Sequence, residues 1–318
     1  MESETDFKII EHKTAPVDWG SKQAESSYPI VFQSSEWASA LQHDIRKPFF
    51  LEVSNSSDTL CGLVLGWERS VDLAGQKRRV VYIRGGPASI GAYNESVFSL
   101  ILSYILKKEA NLYIIIVPPN TNPTVFGRMG FTPSDAFSTA IINLTSPESA
   151  IKAGFRRGAR WAIRKAARNN IIIAETKAHT DIKSFYELYL ESINRGSEVI
   201  NEPIEEFKSL EKLLQSSIST LLVAKINGEV AAGNLFLTYL GRVTDMYNAV
   251  STRYMRTQVN TLLQWESMRW AKERSFKSYD LGGISTSAKE GSKYYRITRF
   301  KLGFGGDLVT FPTHILEK

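Results

Sequence analysis

The chain has 318 residues, 43% of them hydrophobic and 23% charged, with 39 Lys and Arg against 33 Asp and Glu for a formal net charge of +6. That length suits two domains better than one core, and the composition is that of a soluble globular protein, which excludes disordered and fibrous classes. No apolar run approaches the ~20 residues of a membrane helix. The polar start, MESETDFK, carries no signal-peptide pattern, so a cytoplasmic protein without an integral membrane segment is expected. The single cysteine, Cys61, lies in LCGLVLG and reads as a buried, inert thiol. The four histidines, His12, His43, His179 and His314, are dispersed without ligand spacing, so no metal is expected.

After a polar leader, FQSSEWASALQ (32–42) predicts a helix capped by Ser34 or Ser35, with Glu36 in its first turn and Trp37 and Leu41 on its apolar face. Three runs rich in Val, Ile, Leu and aromatics follow, at 49–53, 60–67 and 79–84, and Gly85-Gly86-Pro87 breaks the last. Helical spacing returns over 97–106. A nearly all-apolar strand at 112–117 ends at Pro118-Pro119, and FGRMGF (126–131) closes the unit.

The second half repeats that order. Strands at 221–226 and 230–239 are joined by Asn227-Gly228, a type I′ hairpin signal. A strand at 242–250, a helix at 258–272 and a buried strand at 277–281 follow, and FKLGF (300–304) stands where FGRMGF stood. The match is one of pattern rather than of residues. It predicts two side-by-side copies of one α/β unit with mixed sheets, 1–150 and 151–318, the second entered through a helix at 155–168.

That entering helix, FRRGARWAIRKAAR, puts Phe155, Ala159, Ala162, Ile163 and Ala166 on one face, while Arg156, Arg160, Arg164 and Arg168 recur every fourth residue on another. Like charges at this spacing oppose the helix by roughly 0.2–0.5 kcal/mol per pair. From Lys152 to Arg168 there are seven cations and no acid, so the rest of the chain sums to −1 and the basic character is local. A solvated face, acids reaching over from a neighbouring domain and a phosphate-bearing partner all fit, and the partner is favoured. Arg156, Arg157, Arg160, Arg164 and Lys165 are its candidate contacts.

The stretch YDLGGISTSAKEGSKYYRITRFKLGFGG (279–306) concentrates the remaining signals. A short strand stops at Gly282-Gly283, a polar loop runs to Tyr294-Tyr295, and Arg299-Phe300-Lys301 meets a second glycine cluster. Paired glycines let backbone adopt positive φ or approach another group closely. A lysine held among aromatics there suits a reacting carbonyl or phosphate; a plain hairpin with good turn residues is the alternative.

Taken together, FQSSEW, the IRKA helix followed by Ile171–Ile173, NGE with Ala231-Ala232, YDLGG and RFKLGFGG resemble the FemABX family of peptidoglycan-bridge aminoacyltransferases. The resemblance spans nearly the whole chain, and YDLGG with FKLGFGG is its most specific part. It implies two tandem GNAT-like (acyl-CoA N-acyltransferase-fold) domains. It also implies transfer of an amino acid from aminoacyl-tRNA to an amine of a phosphate-bearing cell-envelope precursor, without metal or organic cofactor. Lys301 falls on the lysine to which the family assigns a catalytic or substrate-binding part, and Arg195 falls where the family has an acceptor-contacting arginine; a helix-end cation is the alternative for Arg195. The coiled-coil arm of some members has no counterpart, since 185–216 offers only ordinary helices interrupted at Gly196 and Pro203. The lysine that some members carry just past the N-terminal Trp is absent from 38–42, where the next cations are Arg46 and Lys47.

Other candidates come from the residues. Asp280 can position Lys301 or cap backbone amides beside Gly282. Tyr247 and Tyr254 can line the cleft or simply pack, and Tyr279, Gly282, Gly283, Tyr295, Arg299 and Phe300 flank the lysine as substrate contacts. STRYMRTQVN (251–260) stands where an acetyltransferase of this fold cradles CoA pyrophosphate on a glycine-rich turn. It contains no glycine, and Arg253 and Arg256 are free there for a phosphate or are surface charge. Glu266 shares a helix face with Val259, Leu262, Leu263 and Trp270, so a raised pKa or an ion pair is expected. An acyl-CoA-dependent N-acyltransferase acting on an amine or amino sugar is the second functional reading. A non-catalytic RNA-binding protein is the third.

Overall fold

The computed structural model describes residues 7–43, 45–73, 75–92, 94–195 and 211–318. The interruptions expected at Gly196 and Pro203 lie outside the described residues. The chain divides into two compact units, Met1–Phe137 with Thr310–Lys318, and Ser138–Val309.

The first unit runs β1 (Phe7–His12), α1 (Trp19–Ala24), α2 (Ser35–Leu41), β2 (Arg46–Asn55), β3 (Leu60–Leu73), β4 (Gln76–Arg84), β5 (Ala88–Ser89), α3 (Glu95–Ile105), β6 (Leu112–Ile116) and α4 (Thr124–Arg128). β1 to β4 form an antiparallel ladder, β5 adds to β3, and β6 joins β4 in parallel after the α3 crossover. The Ser34 hydroxyl caps α2 by accepting from the Trp37 N–H. Gln33 is buried and bridges two strands: its amide donates to the carbonyls of Leu65 and Arg84, both at 2.9 Å, and accepts from Leu65 N at 2.7 Å. The glutamine of FQSSEW is therefore structural. α3 seats Val97, Ile101 and Ile105, one turn apart, against Leu51, Val53, Val64 and Val81. Cys61, expected to be buried, is half-buried: it stands at the start of β3, where its sulfur donates to the Thr59 carbonyl.

The second unit uses the same plan. It contains β7 (Thr132–Asn143) from Ser138 onward, α5 (Glu148–Ala153), α6 (Arg157–Ala166), β8 (Ile171–Thr176), α7 (His179–Asn194), β9 (Ser219–Ile226), β10 (Glu229–Tyr239) and β11 (Arg242–Val250). A 3-10 turn (Thr252–Thr257), α8 (Val259–Glu273), β12 (Ser278–Ile284) and α9 (Lys293–Lys301) complete it, and β13 (Asp307–Glu317) belongs to the first unit from Thr310 onward. β8 to β11 are antiparallel neighbours, and β12 joins β11 in parallel after the α8 crossover. The β9–β10 turn has Asn227 at φ 52° and Gly228 at φ 83°, the two positive values that a type I′ hairpin needs.

Each unit takes its closing strand from the other half of the sequence. In the first, Thr313–Glu317 of β13 pairs antiparallel with β6; in the second, Ser138–Asn143 of β7 pairs antiparallel with β12. A division near residue 150, drawn from element order, takes no account of this exchange.

Two local expectations change. The basic helix is shorter than 155–168: α5 precedes it, Phe155 and Arg156 form the joint, and α6 is Arg157–Ala166. The stretch from the end of the polar loop, at Tyr294-Tyr295, through Arg299-Phe300-Lys301 is a helix. Ser292 starts α9 by accepting from Tyr295 N, and Lys301 is its last residue rather than part of a hairpin.

Candidate functional site

The site is built where two strands part. β11 and β12 pair in parallel only over Arg242–Thr244 and Ser278–Asp280. β12 is paired with β7 on its other edge throughout, with a register shift between Asp280 and Gly283, while β11 stays with β10 across its own irregularity at Leu235/Phe236. Bulges bend strands and re-aim side chains. Backbone groups released from the ladder there need new partners.

Lys301, at the end of α9, supplies one. Its Nζ donates to the Gly283 carbonyl at 2.9 Å. Gly282, at φ +71°, is what lets the ammonium in: a Cβ there would lie 2.7 Å from the Asp245 carbonyl oxygen and 3.3 Å from Lys301 Nζ. The second glycine cluster serves packing rather than a ligand, since a Cβ at Gly305 would meet the Gly154 carbonyl at 2.7 Å and one at Gly306 the Ile141 carbonyl at 2.9 Å. Phe304 stands directly before Gly305. It is buried edge-on against Phe155, with ring centroids 5.2 Å apart, and burying each such ring contributes roughly 1.5–3 kcal/mol to holding the Lys301 element on the α5–α6 joint. Phe300 packs edge-on against Phe304 at 5.3 Å.

Asp280 makes contacts of its own. Its carboxylate accepts from the Gly282 N–H at 2.8 Å and from the Thr139 hydroxyl, which also lies 3.0 Å from the Gly282 carbonyl. These are the contacts of a residue that caps the bulge, the second of the two uses read from the sequence.

A carboxylate that sequence reasoning missed lies beneath the lysine. Asp245 is buried and accepts from Tyr279 Oη, from Asn234 Nδ2 at 3.0 Å and from Gln264 Nε2 at 2.7 Å. Asn234 also reaches Ser267 Oγ and Tyr279 Oη, both at 3.1 Å. Burial pushes the Asp245 carboxyl up to about 6, against the pull of the Tyr279 hydroxyl and the nearby Lys301 charge. The Tyr279 phenol is raised well above its usual value by burial and by the Asp245 charge. One signal was available. Val243, Asp245, Tyr247 and Ala249 are all buried along β11, an alternation that puts a carboxylate in a core-facing position.

Farther along the parted strands, α7 meets α9. Lys293, at the start of α9, donates to the carbonyls of Ser192 and Ile193 at 2.7 and 3.2 Å, near the end of α7. Arg195, just past α7, donates to the Val250 carbonyl at 2.7 Å, to Ser192 Oγ at 2.5 Å and to Met255 Sδ at 2.8 Å. Its Nε is buried without a hydrogen-bond partner, and burial lowers its pKa. Tyr247 packs edge-on against Tyr189 of α7 at 5.0 Å. Arg195, Tyr247 and Lys293 thus share α7, while α9 carries Lys293 and Lys301.

The remaining candidates are more peripheral. Arg253 pairs with Glu229 at 2.8 Å, and Tyr254 donates to the same oxygen at 2.7 Å; Arg256 is exposed. Arg299 stands over the Tyr295 ring, 5.8 Å from its centroid. Glu266 does both things expected of it: burial raises its pKa, and it accepts from Arg269 at 2.9 Å.

The basic stretch is not uniform. Lys152 pairs with Glu148 at 3.2 Å, and Arg160 folds back onto the carbonyls of Ala153 and Phe155. Arg156, Arg157, Arg164 and Lys165 are exposed, and among the described residues no carboxylate pairs with them. The start of α6 touches the Lys301 element directly, because Arg156 N donates to the Gly303 carbonyl at 2.8 Å.

Comparison with known proteins agrees with this architecture. Residues 153–296 match the family model described as an acetyltransferase (GNAT) domain. A lipid II:glycine glycyltransferase of Staphylococcus haemolyticus is 30% identical over 98 residues, 31% of this chain and 23% of the relative. A UDP-N-acetylmuramoylpentapeptide-lysine N(6)-alanyltransferase of Weissella viridescens is 24% identical over 132 residues, 42% of this chain and 39% of the relative. The matched segments therefore span well under two thirds of either relative. The crystal structure of FemX superposes with a TM-score of 0.77 at 14% identity, over 97% of each chain. Motifs, relatives and fold agree: this is an α/β protein of two tandem GNAT-like units that resembles the FemABX family of aminoacyltransferases.

Proposed function

We propose that the protein is an aminoacyltransferase that moves an amino acid from aminoacyl-tRNA to an amine of a peptidoglycan precursor or another phosphate-bearing cell-envelope acceptor. The observation that carries the reading is the Lys301 ammonium, held by the Gly283 carbonyl where β11 and β12 part. In such a transfer the acceptor amine attacks the ester carbonyl, a tetrahedral oxyanion forms, and the C–O bond to the ribose breaks as the new C–N bond is kept. The amine proton leaves to the ribose oxygen or to water. A fixed cation suits both the oxyanion and a substrate phosphate. Asp245, with its oxygens bonded inside the unit, acts on Lys301 through its charge rather than on the substrate amine.

Arg195 and Tyr247 stand by α7 as acceptor contacts, and the exposed arginines of α6 as donor contacts. The two curated relatives, named for transfer onto lipid II and onto a muramoyl-pentapeptide lysine, support this class of acceptor.

A second reading has one observation behind it: the matched domain is described as an acetyltransferase, which points to acyl-CoA as donor. The glycine-free turn at 251–260, whose Arg253 is already paired with Glu229, disfavours a CoA pyrophosphate cradle. Purified protein incubated with radiolabelled aminoacyl-tRNA or acyl-CoA, each with a panel of amine acceptors, separates the readings. Label should move from tRNA to a cell-envelope peptide amine. Transfer from acyl-CoA alone would establish the second reading. RNA binding without any transfer would leave a binding protein.

A further inference from the structure

Trp161 sits at the middle of α6 and leaves 52% of its surface to solvent, the most exposed of the large aromatics among the described residues. At 100° per residue it points away from the face on which Phe155, Ala162 and Ala166 are buried. On its own face Arg157 stands one turn before and Arg164 and Lys165 one turn after, and Arg168 follows just past the end of the helix. The Lys165 ammonium lies 5.1 Å from the centroid of its ring. Among the described residues none of these four cations pairs with a carboxylate.

The position matters as much as the composition. The N-terminal end of α6 is bonded to Gly303, two residues past Lys301, and Trp161 stands about 6 Å along the helix axis from Arg157. An aromatic face beside unpaired cations is the arrangement that binds unpaired nucleotides, with bases stacking on the ring and phosphates meeting the charges. A basic helix with a tryptophan can also lie on an anionic membrane, but that mode needs a broad apolar face to insert. The apolar face of α6 is already buried in its own unit, and one indole remains.

We infer that Trp161 is a stacking platform for an unpaired base of the RNA donor, with Arg157, Arg164 and Lys165 taking the flanking phosphates. This rests on the reading of the donor as tRNA. It adds a contact that is sensitive to strandedness, whereas the arginines respond to charge alone.

The test compares two RNAs, a minihelix with a single-stranded 3′ end and the same duplex with a blunt end, binding to wild type, Trp161→Ala and Trp161→Phe. Trp161→Ala should weaken binding of the overhanging RNA by roughly 5- to 150-fold, the range of base–aromatic stacking. Blunt duplex binding should be unchanged. Trp161→Phe should keep most of the affinity, and the salt slope should stay at its wild-type value because every phosphate keeps its cation. Unchanged affinity in Trp161→Ala, or equal weakening on both RNAs, overturns the inference while leaving the tRNA reading standing. Wild type that binds neither RNA overturns both. A parallel arm with phosphatidylglycerol vesicles covers the membrane: loss of vesicle binding in Trp161→Ala with RNA binding intact overturns the inference.

Discussion

Lys301 and Gly283 lie 18 residues apart in sequence and are joined by a 2.9 Å hydrogen bond from ammonium to carbonyl. That bond fixes the cation at the point where β12 leaves β11. If the ammonium faces developing negative charge, Lys301→Ala should lower kcat by about 10²- to 10³-fold. If it holds a substrate phosphate, KM should rise while kcat stays. Steady-state kinetics with the tRNA donor, beside a urea melt showing near-wild-type stability, distinguish the two. Wild-type kinetics would remove Lys301 from the site.

Gly282 is a backbone requirement. A Cβ there would combine a left-handed φ of +71° with a 2.7 Å approach to a backbone oxygen of Asp245, which cannot swing aside as a side chain can. Gly282→Ala should cost at least about 2 kcal/mol, of which ~1–2 is the conformational term, and should displace Lys301. Gly158→Ala is the control: it lies within α6 with nothing within 4 Å of an added Cβ, and should be neutral or stabilising by up to about 1 kcal/mol. Chemical denaturation of both variants checks the contrast.

Asp245 makes stability depend on pH in an unusual direction for a carboxylate. Its folded-state pKa, about 6, lies above the unfolded value of 3.8, so the native state holds the proton more tightly. Between those values the native state binds more protons than the unfolded state, and stability falls as pH rises from about 4 to about 6. Asp245→Asn lacks this term. The stability of wild type relative to the variant should therefore drop across that window, by an amount on the order of a few kcal/mol, and stay level above it. Paired urea titrations at several pH values measure this, and a difference that does not vary with pH would show Asp245 to be ordinary.

The exposed part of the basic face should behave as phosphate-binding cations do. Neutralising Arg156, Arg157 and Arg164 together should weaken tRNA binding and flatten its salt dependence by about 0.7–0.9 slope units for each phosphate released. Arg160→Gln should act differently, because it removes the bonds to the carbonyls of Ala153 and Phe155. That variant should lower stability by about 1–3 kcal/mol, the cost of charged hydrogen bonds. Salt titrations of binding and thermal melts on the same variants check both.

The elements of both units were legible because their causes are short-range. Val97, Ile101 and Ile105 recur at the helical period, Ser34 accepts from the N–H three residues on, and Asn227-Gly228 adopts the positive φ values of a type I′ turn. The order of those elements, with the YDLGG and RFKLGFGG motifs, was enough for the tandem GNAT-like fold. Helix α9 was not legible, because KYYRITRFK buries only Thr298 and so carries no apolar stripe; the Ser292 cap was its one local sign. The partners of the site side chains depended on register, which no local pattern carries. Thr139 meets Asp280 across 141 residues, and the two β-bulges decide that Asp280 caps Gly282 while Asp245 lies beneath Lys301. The exchange of β7 and β13 is of the same kind. Sequence order states which strands exist. Which edge each one closes is settled by long-range pairing between apolar surfaces that either strand can cover.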